Sequence, residues 1–325
     1  MGKEDGDMNL PLIKVTSPSF SKNPLLQKEL TSRPFRVVLN SEGHRLEGST
    51  LASYLADAEG AIIGLEKVDE DLLGKCPGLR AIAKYGVGLD NIDAEACRRR
   101  QIFIGWTAGV NRRSVAEVTL GHLLGLAHNV YPTLQLLKQG KWNKEGGIQL
   151  SEKTVGVVGL GNIGKELVEM LRPFGCRVLG NDILDLKEYA AKAGVVLASK
   201  EEIFRMADFV TLHIPLTTET HHLINAQSLK LFRPEAFLIN TSRGSVVDQA
   251  ALKEALRTGK LQGAALDVYE HEPPTDLEFL RLPNLVCTPH ISGNSFEAVL
   301  AMGRSAIAHL DSFFQTQAAG PRRSS

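Results

Sequence analysis

Val155-Gly156-Val157-Val158 runs directly into Gly159-Leu160-Gly161-Asn162-Ile163-Gly164, and no other stretch restricts the fold as tightly. A short apolar run rich in valine, bounded by glycine, reads as a buried parallel strand. Three glycines follow at Gly-x-Gly-x-x-Gly spacing, and Lys165 to Leu171 then reads as a helix. In such a strand–turn–helix unit Gly159 permits the tight turn and Gly161 lets a pyrophosphate approach the backbone. Gly164 lets helix and strand pack closely. The helix N-terminus, at Asn162 and Ile163, aims its amides at the phosphates. Glycine-rich turns are common, so the motif needs a second mark. Arg177 to Gly180 reads as the next strand, and Asp182 follows it, about 20 residues past Gly161. An acid in that register binds the ribose 2′-hydroxyl of a dinucleotide and repels a 2′-phosphate. No arginine follows closely, so NAD is expected over NADP.

A chain of 325 residues is long enough for two ordinary domains. Its 37 basic and 37 acidic side chains cancel, which argues against nucleic acid as a partner. No apolar run approaches the roughly 18 residues that span a bilayer, so no membrane is expected. The stretch Met1 to Asp7 is charged and no apolar segment follows it, unlike a secretory signal. Residues 1 to 8 read as a disordered tail. Cys76, Cys97, Cys176 and Cys287 are scattered, with no C-x-x-C and no histidine pairing. They read as reduced thiols of a cytoplasmic protein, with no metal site.

Taken in order, Leu12–Val15, Arg36–Leu39, Ala61–Ile63, Arg80–Lys84 and Ile102–Gly105 read as strands, with helices at Leu25–Leu30, Ser49–Ala56 and Asp69–Lys75 between them. Strands alternating with helices mean a parallel sheet covered on both faces. This first series lacks a full dinucleotide fingerprint and suits a substrate domain. Ser114 and Glu117 have the spacing of a capping box, opening a long helix apolar over most of its circumference. A second series follows, with strands at Thr154–Val158, Arg177–Gly180, Phe209–Leu212, Ala236–Asn240, Gly263–Leu266 and Leu285–Cys287. Its helices are expected at Lys187–Ala193, Lys200–Met206, Ala226–Leu231 and Gln249–Thr258. The last helix, Phe296–Phe314, is expected to return to the first domain. The expected fold is α/β with two doubly wound parallel sheets. Residues 108–291 form a Rossmann NAD-binding domain. Residues 9–107 and 292–318 form a flavodoxin-like substrate domain.

Ligands of open α/β sheets sit at the carboxyl ends of the strands. In the second series those ends carry His213-Ile214-Pro215, then Thr241-Ser242-Arg243-Gly244, then Asp267 with Glu270 and Glu272, then Thr288-Pro289-His290. Transfer of a hydride from nicotinamide to a carbonyl carbon leaves negative charge on oxygen. A histidine titrating near neutrality can give a proton there and take one back. A carboxylate beside it orients the ring and favours its charged form. An arginine fork can hold a substrate carboxylate and polarise the carbonyl. Arg243, Glu272 and His290 singly could be surface ion pairs or structural groups, but all three follow strands of one nucleotide-binding sheet. His213, with Pro215, is as readily a wall of the cofactor pocket as a catalytic group. His122 and His128 suit packing or an interface, and His221 and His222 a surface loop. His271, between the two glutamates, is expected to point away from them.

These residues resemble those of the D-isomer-specific 2-hydroxyacid dehydrogenases, most closely the D-3-phosphoglycerate dehydrogenase branch. The resemblance runs from about Ile13 to Phe314. It is carried by Lys84-Tyr85-Gly86-Val87-Gly88-Leu89-Asp90-Asn91-Ile92-Asp93, Asn111 to Glu117, the fingerprint, Asn240 to Gly244, Asp267 to Pro273 and Thr288 to Gly293. It implies that His290 is the acid/base, Glu272 its partner, and Arg243 the group that binds the substrate carboxylate and carbonyl. It further implies that Asp267 lies near the nicotinamide carboxamide, with Thr241 beside it and Gly293 on the cofactor side. The loop holding Tyr85, Val87 and Gly88 would bind the substrate carboxylate through backbone amides. A homodimer built around the helix starting at Ser114, and closure of the first domain over the cleft, are implied as well.

The sequence departs from the branch in two places. Phosphoglycerate enzymes place an arginine in the loop after the third strand, where this chain reads Ile63-Gly64-Leu65-Glu66-Lys67. Lys67 and Arg113 are the cations at hand. The chain ends soon after the last helix, so a C-terminal regulatory domain, and feedback through it, is expected to be absent. The expected activity is therefore NAD-dependent dehydrogenation of a small 2-hydroxy acid, or reduction of its 2-keto acid. The alternatives are a hydroxypyruvate or glyoxylate reductase, a reductase of phosphonate or sulfonate analogues, and, from another class, an NADH-sensing corepressor-like binding protein.

Overall fold

The structure, a computed structural model, describes residues 10–318. The charged N-terminal stretch and the polar end Gly320 to Ser325 lie outside the described residues. The chain divides into two compact units. The first ends at Asn111 and resumes at Phe296; the second runs from Arg112 to Ser295.

The first unit holds strands β1 (Leu12–Val15), β2 (Arg36–Leu39), β3 (Gly60–Ile63), β4 (Ala81–Lys84) and β5 (Phe103–Gly105) in the order β2-β1-β3-β4-β5. All pairings are parallel. This is the flavodoxin-like order, whose switch point lies between β1 and β3. Every residue of β3 and β4 is buried, as parallel strands covered on both faces require. Asp69 and Asp93 cap the next two helices, accepting from Leu72 N at 3.0 Å and Ala96 N at 2.8 Å. Each satisfies an orphan amide of the first turn. The helix Phe296–Ala318 lays Leu300, Met302, Ile307, Leu310 and Phe314 into the core formed by Ile13, Val15 and Ile62 of this sheet.

The second unit holds β6 (Thr154–Val158), β7 (Arg177–Asn181), β8 (Val195–Leu197), β9 (Phe209–Leu212), β10 (Phe237–Asn240), β11 (Gly263–Leu266) and β12 (Leu285–Cys287). Their order is β12-β11-β10-β9-β6-β7-β8, all parallel. This is the doubly wound dinucleotide arrangement with one strand added, its switch point between β6 and β9.

The capping box at Ser114 and Glu117 is not formed. The helix starts at Arg112 and runs to Ala127, so Ser114 already lies inside its first turn. Its Oγ donates to Ser292 O at 2.6 Å, and Glu117 pairs with Arg113 at 2.7 Å. A tertiary partner took the hydroxyl that local pattern assigned to the helix end. The expected helix at Ala226–Leu231 is a single 3-10 turn, Ser228–Leu231. Strand β8 and the helix Ala94–Arg99 were not anticipated. Both are short, and β8 exposes two of its three residues, so neither shows a clear apolar period.

Candidate active site

The cofactor cradle follows from three glycines with different surroundings. Gly159 has φ +97, and a Cβ there would lie 2.4 Å from His213 O. Only glycine adopts that backbone without strain. A Cβ on Gly164 would lie 2.0 Å from Gly159 O, so helix and strand meet backbone to backbone. A Cβ on Gly161 would meet nothing within 4 Å. The open side of the turn is therefore the second glycine, where a pyrophosphate needs room. Gly161 is also the N-cap of the helix Asn162–Leu171 and caps it with no side chain. The amides of Asn162 and Ile163 thus keep the donor capacity an anion would use. Asp182 follows β7, with Oδ2 accepting from Leu160 N at 2.8 Å and Oδ1 from Leu184 N at 3.0 Å. Each oxygen keeps a lone pair for a ribose hydroxyl.

His213 Nε2 bonds Thr211 Oγ1 at 3.0 Å, while Nδ1 is buried with no partner in the protein. Burial pushes this imidazole down to about 3. A ring held neutral so firmly cannot cycle a proton near pH 7, so the geometry favours the wall of a pocket over catalysis. Pro215 follows it, exposed, and Thr241 is buried with its Oγ1 3.0 Å from Thr119 Oγ1. The residues present fit an NAD molecule: open turn, uncapped helix, ribose acid and an orphaned buried nitrogen. Two substitutions separate these roles. Gly161→Ala is expected to keep the melting temperature and weaken NADH binding by about tenfold, the loss of one good hydrogen bond. Gly164→Ala is expected to cost about 1–3 kcal/mol of stability, as overpacking does. Denaturant melts and NADH fluorescence titrations read both; wild-type NADH affinity in Gly161→Ala would remove the pyrophosphate from this turn.

Arg243, Glu272 and His290 are positioned by backbone contacts that no motif announces. After β10, the buried Asn240 side chain builds the turn, accepting from Ser242 N and Oγ and donating to Arg243 O at 2.9 Å. A Cβ on Gly244 would lie 1.9 Å from the Tyr269 carbonyl carbon. Glycine alone lets the Arg243 turn rest against the loop after β11. In that loop Tyr269 N donates to Glu272 Oε1 at 3.1 Å, and Glu272 Oε2 meets His290 Nδ1 at 2.7 Å. With Nδ1 turned to Glu272, Nε2 is the nitrogen left to face a substrate. Glu270 is spent elsewhere, bonded to His222 at 2.7 Å and to Gln249 N, and His271 is exposed. The fold thus separates two glutamates that look alike in sequence.

His290 has φ 54, the left-handed region, uncommon outside glycine. Such conformations persist where surroundings over-determine them, and Asp267 does so here. It is fully buried, its Oδ1 accepting from Thr288 Oγ1 at 2.6 Å and Ile291 N at 2.9 Å, its Oδ2 from Ser292 N at 2.8 Å. One of its four lone-pair sites is left for the carboxamide contact the resemblance assigns it. Ser114 grips the same loop from the Arg112–Ala127 helix through Ser292 O and Ser295 N, on either side of Gly293. Sequence reading missed Ser114 and the anchoring role of Asp267. The signal was an acid directly after β11, a strand that is itself apolar and buried throughout.

The Glu272 hydrogen bond raises the His290 pKa above its ordinary value, against burial and against the nearby charge of Arg243. Burial pushes Glu272 up, but the hydrogen bond and charge of His290 and the Tyr269 amide outweigh it and leave the carboxyl below its usual range. The sign for catalysis follows. If His290 is the proton donor, reduction needs its charged form, so the rate is full below the raised pKa and lost as pH climbs through it. Removing the partner charge in Glu272→Gln is expected to move that alkaline limb to lower pH. Oxidation, which needs the neutral ring, then begins at lower pH. An unmoved limb in kcat/KM profiles would detach Glu272 from the titrating group.

Among other histidines, His122 is buried in the Arg112–Ala127 helix, its Nδ1 3.4 Å from Tyr131 OH, and burial lowers its pKa. His128 is exposed. His221 stacks on His222 with ring centres 3.9 Å apart.

Within the first unit, Tyr85 is buried and its hydroxyl lies 3.2 Å from Ser19 Oγ. Val87 and Gly88 follow on the loop after β4. In the loop after β3, Glu66 Oε2 accepts from Gly64 N at 2.7 Å, Leu65 is 78% exposed, and Lys67 pairs with Asp69 at 2.9 Å. Within the second unit, Arg113 is engaged by Glu117 and Glu166. Both cations named as replacements for the branch's arginine thus have carboxylate partners of their own.

Comparison with known proteins agrees with this layout. Residues 120–292 match the family model described as D-isomer specific 2-hydroxyacid dehydrogenase, NAD binding domain. A glyoxylate reductase of Pyrococcus furiosus is 35% identical over 289 residues, 86% of either chain. A D-3-phosphoglycerate dehydrogenase of Methanocaldococcus jannaschii is 41% identical over 240 residues, 73% of this chain, but the match spans only 46% of that longer protein. The crystal structure of a D-lactate dehydrogenase from Aquifex aeolicus, complexed with NAD and lactic acid, superposes with a TM-score of 0.83 at 27% identity, covering 95% of this chain and 96% of that one. The chain belongs to the D-isomer-specific 2-hydroxyacid dehydrogenase family, whose members are NAD-dependent oxidoreductases acting on CH–OH groups.

Proposed function

We propose that this chain interconverts a small 2-keto acid and its D-2-hydroxy acid, with His290 as acid/base, Glu272 as its partner and Arg243 as the substrate clamp. The observation that carries this reading is the 2.7 Å Glu272–His290 contact, on the sheet that also holds the dinucleotide fingerprint. Nicotinamide supplies the hydride when bound. His290 Nε2 gives a proton to the carbonyl oxygen in reduction and takes one from the hydroxyl in oxidation. The Arg243 guanidinium holds the carboxylate beside the reacting carbon and draws charge onto the carbonyl oxygen. In the first unit, the amides of Val87 and Gly88 bind the carboxylate, next to Tyr85.

The loop after β3 favours substrates without a phosphate. Glu66 turns its carboxylate onto the Gly64 amide, and Lys67 is paired with Asp69. An unphosphorylated acid of the glyoxylate or hydroxypyruvate type suits that loop better than phosphoglycerate, whose far end needs a cation. We place the protein in the cytoplasm as a homodimer. Its four cysteines are free thiols, and no helix among the described residues is long and apolar enough to cross a membrane. The Arg112–Ala127 helix is buried in its own unit and leaves little apolar face for a partner. The next helix, Val130–Lys138, buries none of its residues and exposes Val130, Leu134 and Leu137, with Trp142 beyond it 79% exposed. Apolar surface of that extent marks an interface.

The test is NADH and NADPH oxidation followed against a panel of 2-keto acids. Turnover of glyoxylate or hydroxypyruvate with NADH, exceeding that of the 3-phosphorylated acid, is the expected result. Tight NADH binding with no turnover of any acid would favour an NADH-gated binding protein instead.

A further inference from the structure

Trp106 stands one residue past β5, next to the loop that leaves β4, since β4 and β5 pair with Ala83 opposite Gly105. Its indole Nε1 donates to Val87 O at 2.6 Å. The other end of the loop is fixed separately. Lys84 Nζ donates to Asn91 Oδ1 at 2.6 Å and to Gly64 O, and Asn91 Nδ2 donates to Glu66 O at 2.6 Å. The loop is therefore tied at its base by Lys84 and Asn91, and at its middle by one indole.

The middle tie has a directional consequence. The Val87–Gly88 peptide is trans and planar, so the Val87 carbonyl and the Gly88 N–H point opposite ways. A carbonyl drawn to the indole turns the Gly88 N–H away from it. A hydrogen bond on the carbonyl also polarises the amide and strengthens its N–H as a donor. We propose that Trp106 is a positioning residue for the substrate carboxylate, aiming and polarising the Gly88 amide through the Val87 carbonyl. The proposal rests on the reading that the Val87 and Gly88 amides bind that carboxylate. It deepens that reading by naming the side chain that orients the Gly88 amide.

The indole N–H can be removed while the ring shape is kept. In a Trp142→Phe background, which leaves a single tryptophan, Trp106 is replaced by β-(3-benzothienyl)alanine, whose sulfur stands where the N–H was. Trp106→Phe is made alongside. The quantities read are KM for the best 2-keto acid, kcat, the dissociation constant of the unreactive analogue oxamate from the NADH complex, NADH affinity and melting temperature. Loss of one hydrogen bond acting on a binding amide is expected to raise KM and the oxamate constant by about threefold to tenfold. Turnover, NADH affinity and melting temperature are expected to hold. Equal oxamate binding with and without the N–H overturns the proposal and leaves the loop reading standing. A lower melting temperature with KM and kcat moving together makes Trp106 structural and also overturns it. Parent protein that binds no oxamate at all overturns the loop reading, and this proposal with it.

Discussion

His290→Asn is expected to lower kcat in both directions by about 10²–10⁴-fold, the usual contribution of a positioned acid/base. Asparagine is the better probe than alanine because it tolerates the left-handed backbone of this position. It also leaves a side chain able to donate to Glu272. The fingerprint turn is untouched, so NADH binding, read by fluorescence, is expected within about twofold of wild type. The residual rate is expected to lose the pH limb that His290 imposes. Activity within a factor of a few of wild type would assign the proton to another group, and the model of the site would have to be rebuilt around it.

Arg243→Ala is expected to lower kcat/KM by roughly 30- to 5,000-fold, the 2–5 kcal/mol that truncating one partner of a desolvated charge pair costs. Arg243→Lys restores the charge without the planar fork, so it is expected to recover only part of the loss. A second signature separates clamping from mere charge. The Arg243 charge opposes protonation of His290, so removing it raises the histidine pKa. The alkaline limb of reduction then moves to higher pH, opposite to the shift expected for Glu272→Gln. Shifts of the same sign in the two variants, or a kcat/KM for Arg243→Ala close to wild type, would sink the assignment of the clamp.

Much of this was legible in the chain because the signals are local. A valine-rich run, glycines at fixed spacing and an acid about 20 residues on define a dinucleotide turn wherever they fold that way. Strands buried on both faces declare themselves by composition alone. That is why β3, β4, β6 and β9 were read close to their observed limits. The strand-end rule places Arg243, Glu272 and His290 on one side of one sheet from the order of residues alone.

The remainder belonged to contacts between residues far apart in the chain. Ser114 and Glu117 had the spacing of a capping box, yet Ser114 serves Ser292 instead, because a hydroxyl takes whichever partner the packed structure offers. Glu270 and Glu272 are chemically identical neighbours; only the approach of His222 to one and His290 to the other distinguishes them. Asp267 reads as one more acid at a strand end, and only its burial and its hydrogen bonds to Thr288, Ile291 and Ser292 show that it shapes the His290 loop. The sequence by itself determined the fold class, the cofactor turn and the residue types at the strand ends, since these rest on periodicity and backbone sterics. Which side chain meets which, and therefore which histidine has its pKa raised and which has it lowered, was decided only by tertiary structure, because hydrogen bonding and desolvation depend on distances that the order of residues does not contain.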